Sequence, residues 1–319
     1  MNSKILRYAH DVGNGIYAID TGYHRPSFDA SYLLLQEGKN GISAAFIDVG
    51  TNYSAPRLMD TLEDLDLLPS QVDFIILTHV HLDHAGGAGE MMRLCPKAQL
   101  VVHPRGARHM ADPSALRAGA VGVYGEDQVQ KEYGQLLPVP KERILEAVDN
   151  FQINLGGRIL RCMDTPGHAK HHITIWDQLS QGAFTGDTFG LSYREFDTEK
   201  GAFLIPTTTP IQFDPEAMRA SVERIMNLQP KALFPTHYSK ITNVPALEKQ
   251  FLNLLDQVVQ LGLDLKNSSN RHQRIKDGLL KIYSNSLLNH GCKLPPLEIA
   301  KLLDVDIELN AQGMEVWLG

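Results

Sequence analysis

Hydrophobic residues along the first eighty positions fall in short runs rich in β-branched and aromatic side chains, broken by Gly, Asn and Asp. That is the pattern of strands separated by turns. Gly15–Asp20 (GIYAID), Ser31–Gln36 (SYLLLQ), Ala44–Asp48 (AAFID) and Phe74–Leu77 (FIIL) predict four of them. Across Ala55–Asp66, Leu58, Leu62 and Leu65 recur at helical spacing. Further strands are expected at Leu100–His103, Phe151–Ile153, Ile159–Met163, His172–Trp176, Gly182–Phe184 and Ala232–Phe234, with a helix over Pro215–Leu228. Residues 106–143 read as a mostly helical insert. Beyond Pro245 the pattern turns helical: Leu247, Phe251, Leu254, Leu255 and Val258 form one apolar stripe, and Ile275, Leu279, Leu280 and Ile282 begin another. Alternating strands and helices imply α/β sheets covered by helices. The expected organisation is a catalytic domain over residues 1–244, with the insert at about 106–143, and a helical extension over 245–319 packed on it.

Composition narrows the class without naming a chemistry. A chain of 319 residues with 43% apolar and 21% charged side chains can bury a core without staples. Cys95, Cys162 and Cys292 show no C-x-x-C spacing, which fits a reducing cytosol better than a disulfide framework. The amino terminus lacks a signal-peptide apolar region, and no run approaches the roughly 18–20 apolar residues of a membrane span. A soluble, cytoplasmic protein is expected. The net charge of −7, with no long basic run, weighs against a nucleic-acid partner and for a small-molecule substrate. The apolar stripes of the tail could also form a homodimer seam.

The densest chemistry lies in Thr78–Gly87 (THVHLDHAGG), immediately after the run FIIL. Three imidazoles and a carboxylate within six residues suit borderline cations such as zinc, iron or manganese. His79 and His81, alternate residues of an extended turn, can grip one ion; Asp83 and His84 can face a second. Three later segments each place a potential ligand beside Gly or Pro just after an apolar strand: Asp164–His168 (DTPGH), Phe184–Asp187 (FTGD) and Phe234–His237 (FPTH). The ligand count reaches seven, which suits two divalent ions.

These motifs, in this order, resemble the metallo-β-lactamase superfamily. The resemblance covers roughly residues 15–240 and implies a four-layer αββα sandwich. It implies that His79, His81 and His168 bind a first ion, that Asp83, His84 and His237 bind a second, and that Asp187 bridges them. Within the superfamily the chain is similar to the broad group of glyoxalase II-type thioesterases and lactonases. It departs from compact glyoxalase II in the 84 positions from His84 to His168.

A water or hydroxide bridging two cations loses its proton near neutral pH, so a dinuclear site predicts hydrolysis of an ester, thioester, lactone or phosphoester. Asp83 is then the residue placed to orient the nucleophile and relay a proton. Alternatives from other classes are a mononuclear iron persulfide dioxygenase, a nuclease, and a non-enzymatic binding protein on the same scaffold. Tyr193 and Arg194 are candidate substrate contacts. Asp48 either supports the ligand loop or caps a strand. His171 and His172 are expected beside the ligands, not among them. His24, Arg25 and His103 can approach the cleft.

Overall fold

Two sheets carry the strands of the computed structural model, which describes residues 5–39, 41–208 and 211–319. The first sheet has seven strands in sequential order: β1 (Ala9–Gly13), β2 (Ile16–Asp20), β3 (Ala30–Gly38), β4 (Gly41–Ile47), β5 (Val72–Ile76), β6 (Gln99–Val102) and β7 (Ile144–Glu146). Its first four strands pair antiparallel; β4 to β7 pair parallel. The second sheet has five: β8 (Gln152–Leu155), β9 (Arg158–Asp164), β10 (Ile173–Asp177), β11 (Gly182–Gly186) and β12 (Ala232–Pro235). They run in reverse order, antiparallel except for the parallel pair of β11 and β12.

Because successive strand residues point to opposite faces, the buried side chains show which layers touch. Leu33, Phe46, Ile75, Leu100 and Val102 face one core, shared with Leu58 and Leu62 of α1 (Ala55–Asp64) and Met91 and Met92 of α3 (Ala88–Leu94). Their neighbours Tyr32, Leu34, Ala45, Ile47, Ile76 and Val101 face a second core, shared with Leu160, Cys162, Ile175, Phe184 and Phe234 of the other sheet. On that sheet's far side, Met163, Ala183 and Leu233 meet α7 (Pro215–Met226) and α8 (Val244–Leu265). The layers are helix, sheet, sheet and helix. The sequence expectation of an αββα sandwich is met.

Between β5 and α3 lies α2 (Leu82–Ala85). The insert holds α4 (Pro104–Ala111), α5 (Ser114–Tyr124) and α6 (Glu126–Tyr133), and then returns as β7. The tail continues with α9 (Arg271–His290), α10 (Pro296–Leu302) and α11 (Asp304–Leu318). Its helices share a core with Phe28, Leu191, Tyr193, Phe196, Phe203 and Ile205. α8 both covers the second sheet and joins this tail, so the chain does not loosen at residue 245. The apolar stripe of α9 is Ile275, Leu279, Tyr283 and Leu287; Leu280 and Ile282 are only partly buried. Two short strands, β1 and β7, were not expected from the sequence. No helix among the described residues is long and apolar enough to cross a membrane.

Candidate metal centre

The carboxyl ends of β4, β5, β9, β11 and β12 converge at one edge of the sandwich, where open α/β sheets place their ligands. The segment after β5 carries four of the expected ligands, those after β9, β11 and β12 one each, and β4 is followed by Asp48. The two sheets are tied there by the Ile173 amide, which donates to the Thr78 carbonyl at 2.7 Å. Glycine permits two close approaches. A Cβ on Gly87 would lie 2.7 Å from the Thr51 carbonyl oxygen, and one on Gly186, where φ is +46°, would lie 2.5 Å from His172 Nε2.

Seven side chains separated by up to 158 positions meet in this cavity. His81 Nδ1 lies 2.9 Å from His79 Nε2 and 3.0 Å from His168 Nε2, a three-imidazole cluster. Asp83 Oδ2 lies 3.4 Å from His237 Nε2 and 3.7 Å from His84 Nε2, the second cluster. Asp187 stands between: Oδ2 is 3.6 Å from His168 Nε2, while Oδ1 is 3.3 Å from His84 Nε2 and 3.8 Å from His237 Nε2. The ligand atoms of each trio, His79–His81–His168, His79–His84–Asp187 and Asp83–His84–His237, all lie within 4.8 Å of one another. His84 Nε2 and Asp187 Oδ1 are buried with no hydrogen-bond partner among the described residues. A cation satisfies both at once, whereas leaving them bare costs the desolvation of two polar groups. The donor set fits metal ions.

Surrounding hydrogen bonds fix these rings. Asp48, fully buried, takes four: from the Thr78 amide and hydroxyl at 2.8 Å each, from the Thr236 hydroxyl at 2.8 Å, and from His84 Nδ1 at 2.9 Å. It is therefore a support of the ligand loop and not only a strand cap; by holding Nδ1 it turns His84 Nε2 toward the cavity. His237 is set the same way, Nδ1 donating to the Phe28 carbonyl at 3.1 Å. His172 is buried, accepts from the Asp187 amide at 3.3 Å and contacts the Thr165 hydroxyl at 2.9 Å. Phe28, Thr165 and Thr236 carried no metal-site signal of their own in the sequence; Thr165 and Thr236 could have been suspected from the residues beside them.

The charge balance divides the cluster. Burial, with the imidazoles of His84 and His81 nearby, holds His79 well below the ordinary imidazole range. Burial likewise pulls His81 to about 3 and His168 to about 4. All three are neutral lone-pair donors at neutral pH. At His237 burial is outweighed by Asp187, Asp83 and Asp29, and the imidazole is pushed up to about 9. At His84 burial is again outweighed, by Asp187, Asp83 and Asp48, and the ring is held well above its usual value. The carboxylates around these two rings demand positive charge, which a proton or a metal cation supplies.

The other candidates fall around this centre. Tyr193, expected as a substrate contact, is fully buried, and its hydroxyl donates to Asp306 Oδ1 at 2.9 Å. Arg194 bonds the Ser192 hydroxyl at 2.6 Å and pairs with Asp197 at 3.3 Å. Arg25 is held by Glu195 at 2.7 Å. His103 accepts from the Arg105 amide at 3.0 Å and caps α4. The insert supplies a wall: Val129 and Tyr133 pack on Leu82 between the ligands, and the Tyr23 hydroxyl donates to that of Tyr133 at 3.1 Å.

A fold of two facing sheets with His and Asp ligands at the strand ends defines a class of metal-binding αββα proteins. The metallo-beta-lactamase superfamily model matches residues 26–237, and the chain belongs to that superfamily. A metallo-beta-lactamase fold-containing protein of Sulfurisphaera tokodaii is 27% identical over 79% of this chain and 88% of its own. A hydroxyacylglutathione hydrolase of Bdellovibrio bacteriovorus is 28% identical over 91% of each chain. Among solved structures, a metallo-beta-lactamase family protein of Thermus thermophilus superposes with a TM-score of 0.68 at 19% identity, covering 97% of this chain and 94% of that one.

Proposed function

We propose that the chain is a metal-dependent hydrolase that binds two divalent ions and cleaves an ester or thioester of a small molecule, with lactones and phosphoesters as chemical neighbours. One observation carries the two-ion reading: the two oxygens of Asp187 face opposite clusters, one toward His168 and the other toward His84 and His237. A single-iron centre would need only the three-imidazole cluster with Asp187 and would give no role to the trio of Asp83, His84 and His237. Similarity over 91% of each chain to a hydroxyacylglutathione hydrolase supports acyl-ester or thioester hydrolysis. The net charge of −7 supports a small-molecule substrate over a nucleic acid, and three buried unpaired cysteines support a reducing compartment.

His79, His81 and His168 would hold the first ion, Asp83, His84 and His237 the second, and Asp187 both. His/Asp sets of this kind accept zinc foremost and also iron or manganese. When bound, such ions lower the pKa of water and polarise the scissile carbonyl. The chain's own part is orientation and proton handling. Asp83 is the most open of the carboxylates, its side chain 25% exposed against 7% for Asp187. From that rim its carboxylate can orient the attacking water and pass a proton to the leaving group.

The test is turnover of an ester and thioester panel by protein reconstituted with zinc, iron or manganese. Chelation is expected to abolish activity, and Asp83→Asn to lower kcat by about 10²–10⁴-fold, the usual worth of a positioned acid–base group. Inactivity of all reconstituted forms across the panel would overturn the proposal.

A further inference from the structure

The C-terminal extension reaches the second ligand cluster through an unbroken line of contacts. Asp306, in the first turn of α11, accepts the Tyr193 hydroxyl hydrogen bond at 2.9 Å. The Tyr193 ring stacks on Phe28, with centroids 5.1 Å apart and planes 18° from parallel. Phe28 meets His237 twice. Its ring packs edge-on against the imidazole at 5.1 Å, and its carbonyl accepts the Nδ1 proton at 3.1 Å. The main chains are joined as well: the Tyr238 amide donates to the Ser192 carbonyl at 2.7 Å, and the Ser192 amide donates to the His237 carbonyl. Arg25, held by Glu195, lies 4.5 Å from the Phe28 ring centre and 4.6 Å from that of Tyr193, closing the stack from a third direction.

His237 is the one member of its trio supplied by the C-terminal half of the chain; Asp83 and His84 share the short helix α2. The ring contacts described around His79 and His81 stay among His84, His168, His171, His172 and each other. His84 touches both His79, at 4.0 Å between ring centres, and His237, at 5.3 Å. Among the candidate ligands, however, the Phe28 ring meets His237, so a displacement of that stack should act on the second trio before the three-imidazole cluster. A phenol donating to a carboxylate is among the stronger hydrogen bonds a protein makes, well suited to hold an aromatic stack in place.

We infer that Asp306 and Tyr193 are a positioning pair through which the C-terminal extension fixes His237 and sets the affinity of the second ion site, while the first depends on the ligand loops alone. The inference rests on the two-ion reading above. The experiment measures zinc content after dialysis, and the affinity of each equivalent by competition with a chromophoric chelator. It compares wild type with Tyr193→Phe, Asp306→Ala, Asp306→Asn and Asn310→Ala. Wild type should bind two ions. Tyr193→Phe, which keeps the stacked ring, and Asp306→Ala should hold the first ion normally and the second about tenfold more weakly, the low end for a ligand's supporting contacts. Asp306→Asn keeps an acceptor oxygen and should recover most of that loss. Asn310→Ala removes the side-chain oxygen that accepts the Thr208 amide at 2.7 Å and leaves the Tyr193–Asp306 bond in place. It should lower the melting temperature without separating the two affinities. Fewer than two ions in wild type would overturn the two-ion reading itself. Two ions in wild type, combined with an unchanged second affinity in Tyr193→Phe, an equal fall in both affinities, or the same split in Asn310→Ala, would overturn the positioning role.

Discussion

At the scale of single residues, the centre depends on a few side chains that stand behind the candidate ligands. Asp48 illustrates this: buried, at a left-handed φ of +50°, it answers four donors with two oxygens. Asparagine tolerates that backbone but replaces one oxygen with a donor. Asp48→Asn is expected to lower metal affinity by about 10–100-fold while the chain still folds, which chelator competition measures. Unchanged affinity would mean that the His84 ring is oriented by something else. Gly186→Ala is the steric counterpart. The added methyl would meet His172 Nε2 at 2.5 Å and the Thr78 hydroxyl at 2.7 Å, next to the amide of Asp187. It should cost about 1–3 kcal/mol in chemical denaturation and reduce bound metal. A variant with wild-type stability and full metal content would refute the close packing described there.

At the scale of elements, the candidate ligands were legible because each sits just past an apolar strand, and because one motif, H-x-H-x-D-H, is improbable as an ordinary turn. DTPGH, FTGD and FPTH could each be an ordinary turn; it was their order after H-x-H-x-D-H that named the seven side chains the structure gathers. What surrounds them was not legible. The stack of Tyr193 on Phe28 joins residues 165 positions apart, and nothing local in either segment announces it. Tyr193 reads as a candidate substrate contact until α11 is packed over it. β1 and β7 escaped notice because AHDVG and ILE are too short and too exposed to show a period.

The insert illustrates how an element is assigned a role by contact. Tyr133 on α6 borders Leu82 and Tyr23, so Tyr133→Ala should change kcat/KM by about tenfold, roughly 1.4 kcal/mol, on whichever ester is turned over. Bound metal should stay at the wild-type level; loss of metal instead would make the insert part of the ion site. Between the sheets, Arg158 is fully buried with Asp177, and its Nη1 also donates to the Asn14 and Leu35 carbonyls at 2.9 and 3.3 Å. Burial works against the Asp177 charge, but Arg158 and Ser180 hold its carboxyl below the ordinary range. A depressed acid stabilises the fold above its unfolded value of about 3.9 and loses that contribution as pH falls through the folded value. Asp177→Asn should therefore cost about 3–5 kcal/mol near neutrality, by leaving Arg158 buried without its charge partner. It should also flatten the decline in stability below about pH 4. An acid limb as steep as that of wild type would assign the decline to other carboxylates.

At the scale of the whole molecule, the two sheets are pinned together at the edge where the candidate ligands lie, so ions bound there would couple to folding. Ions held at a thousand times their dissociation constant stabilise a one-site native state by about 4.1 kcal/mol. Chelation should then lower the melting temperature of the intact chain by several degrees, and readdition of zinc should restore it. A melting temperature indifferent to both would separate the site from the stability of the fold. The most direct measurement is crystallography of the zinc-loaded protein with anomalous differences recorded above and below the zinc edge. The account predicts two peaks about 3.5–4 Å apart, the spacing of two-metal sites. One should lie among His79, His81 and His168, the other among Asp83, His84 and His237, with Asp187 touching both. A single peak, or two that leave Asp83, His84 and His237 bare, would contradict it.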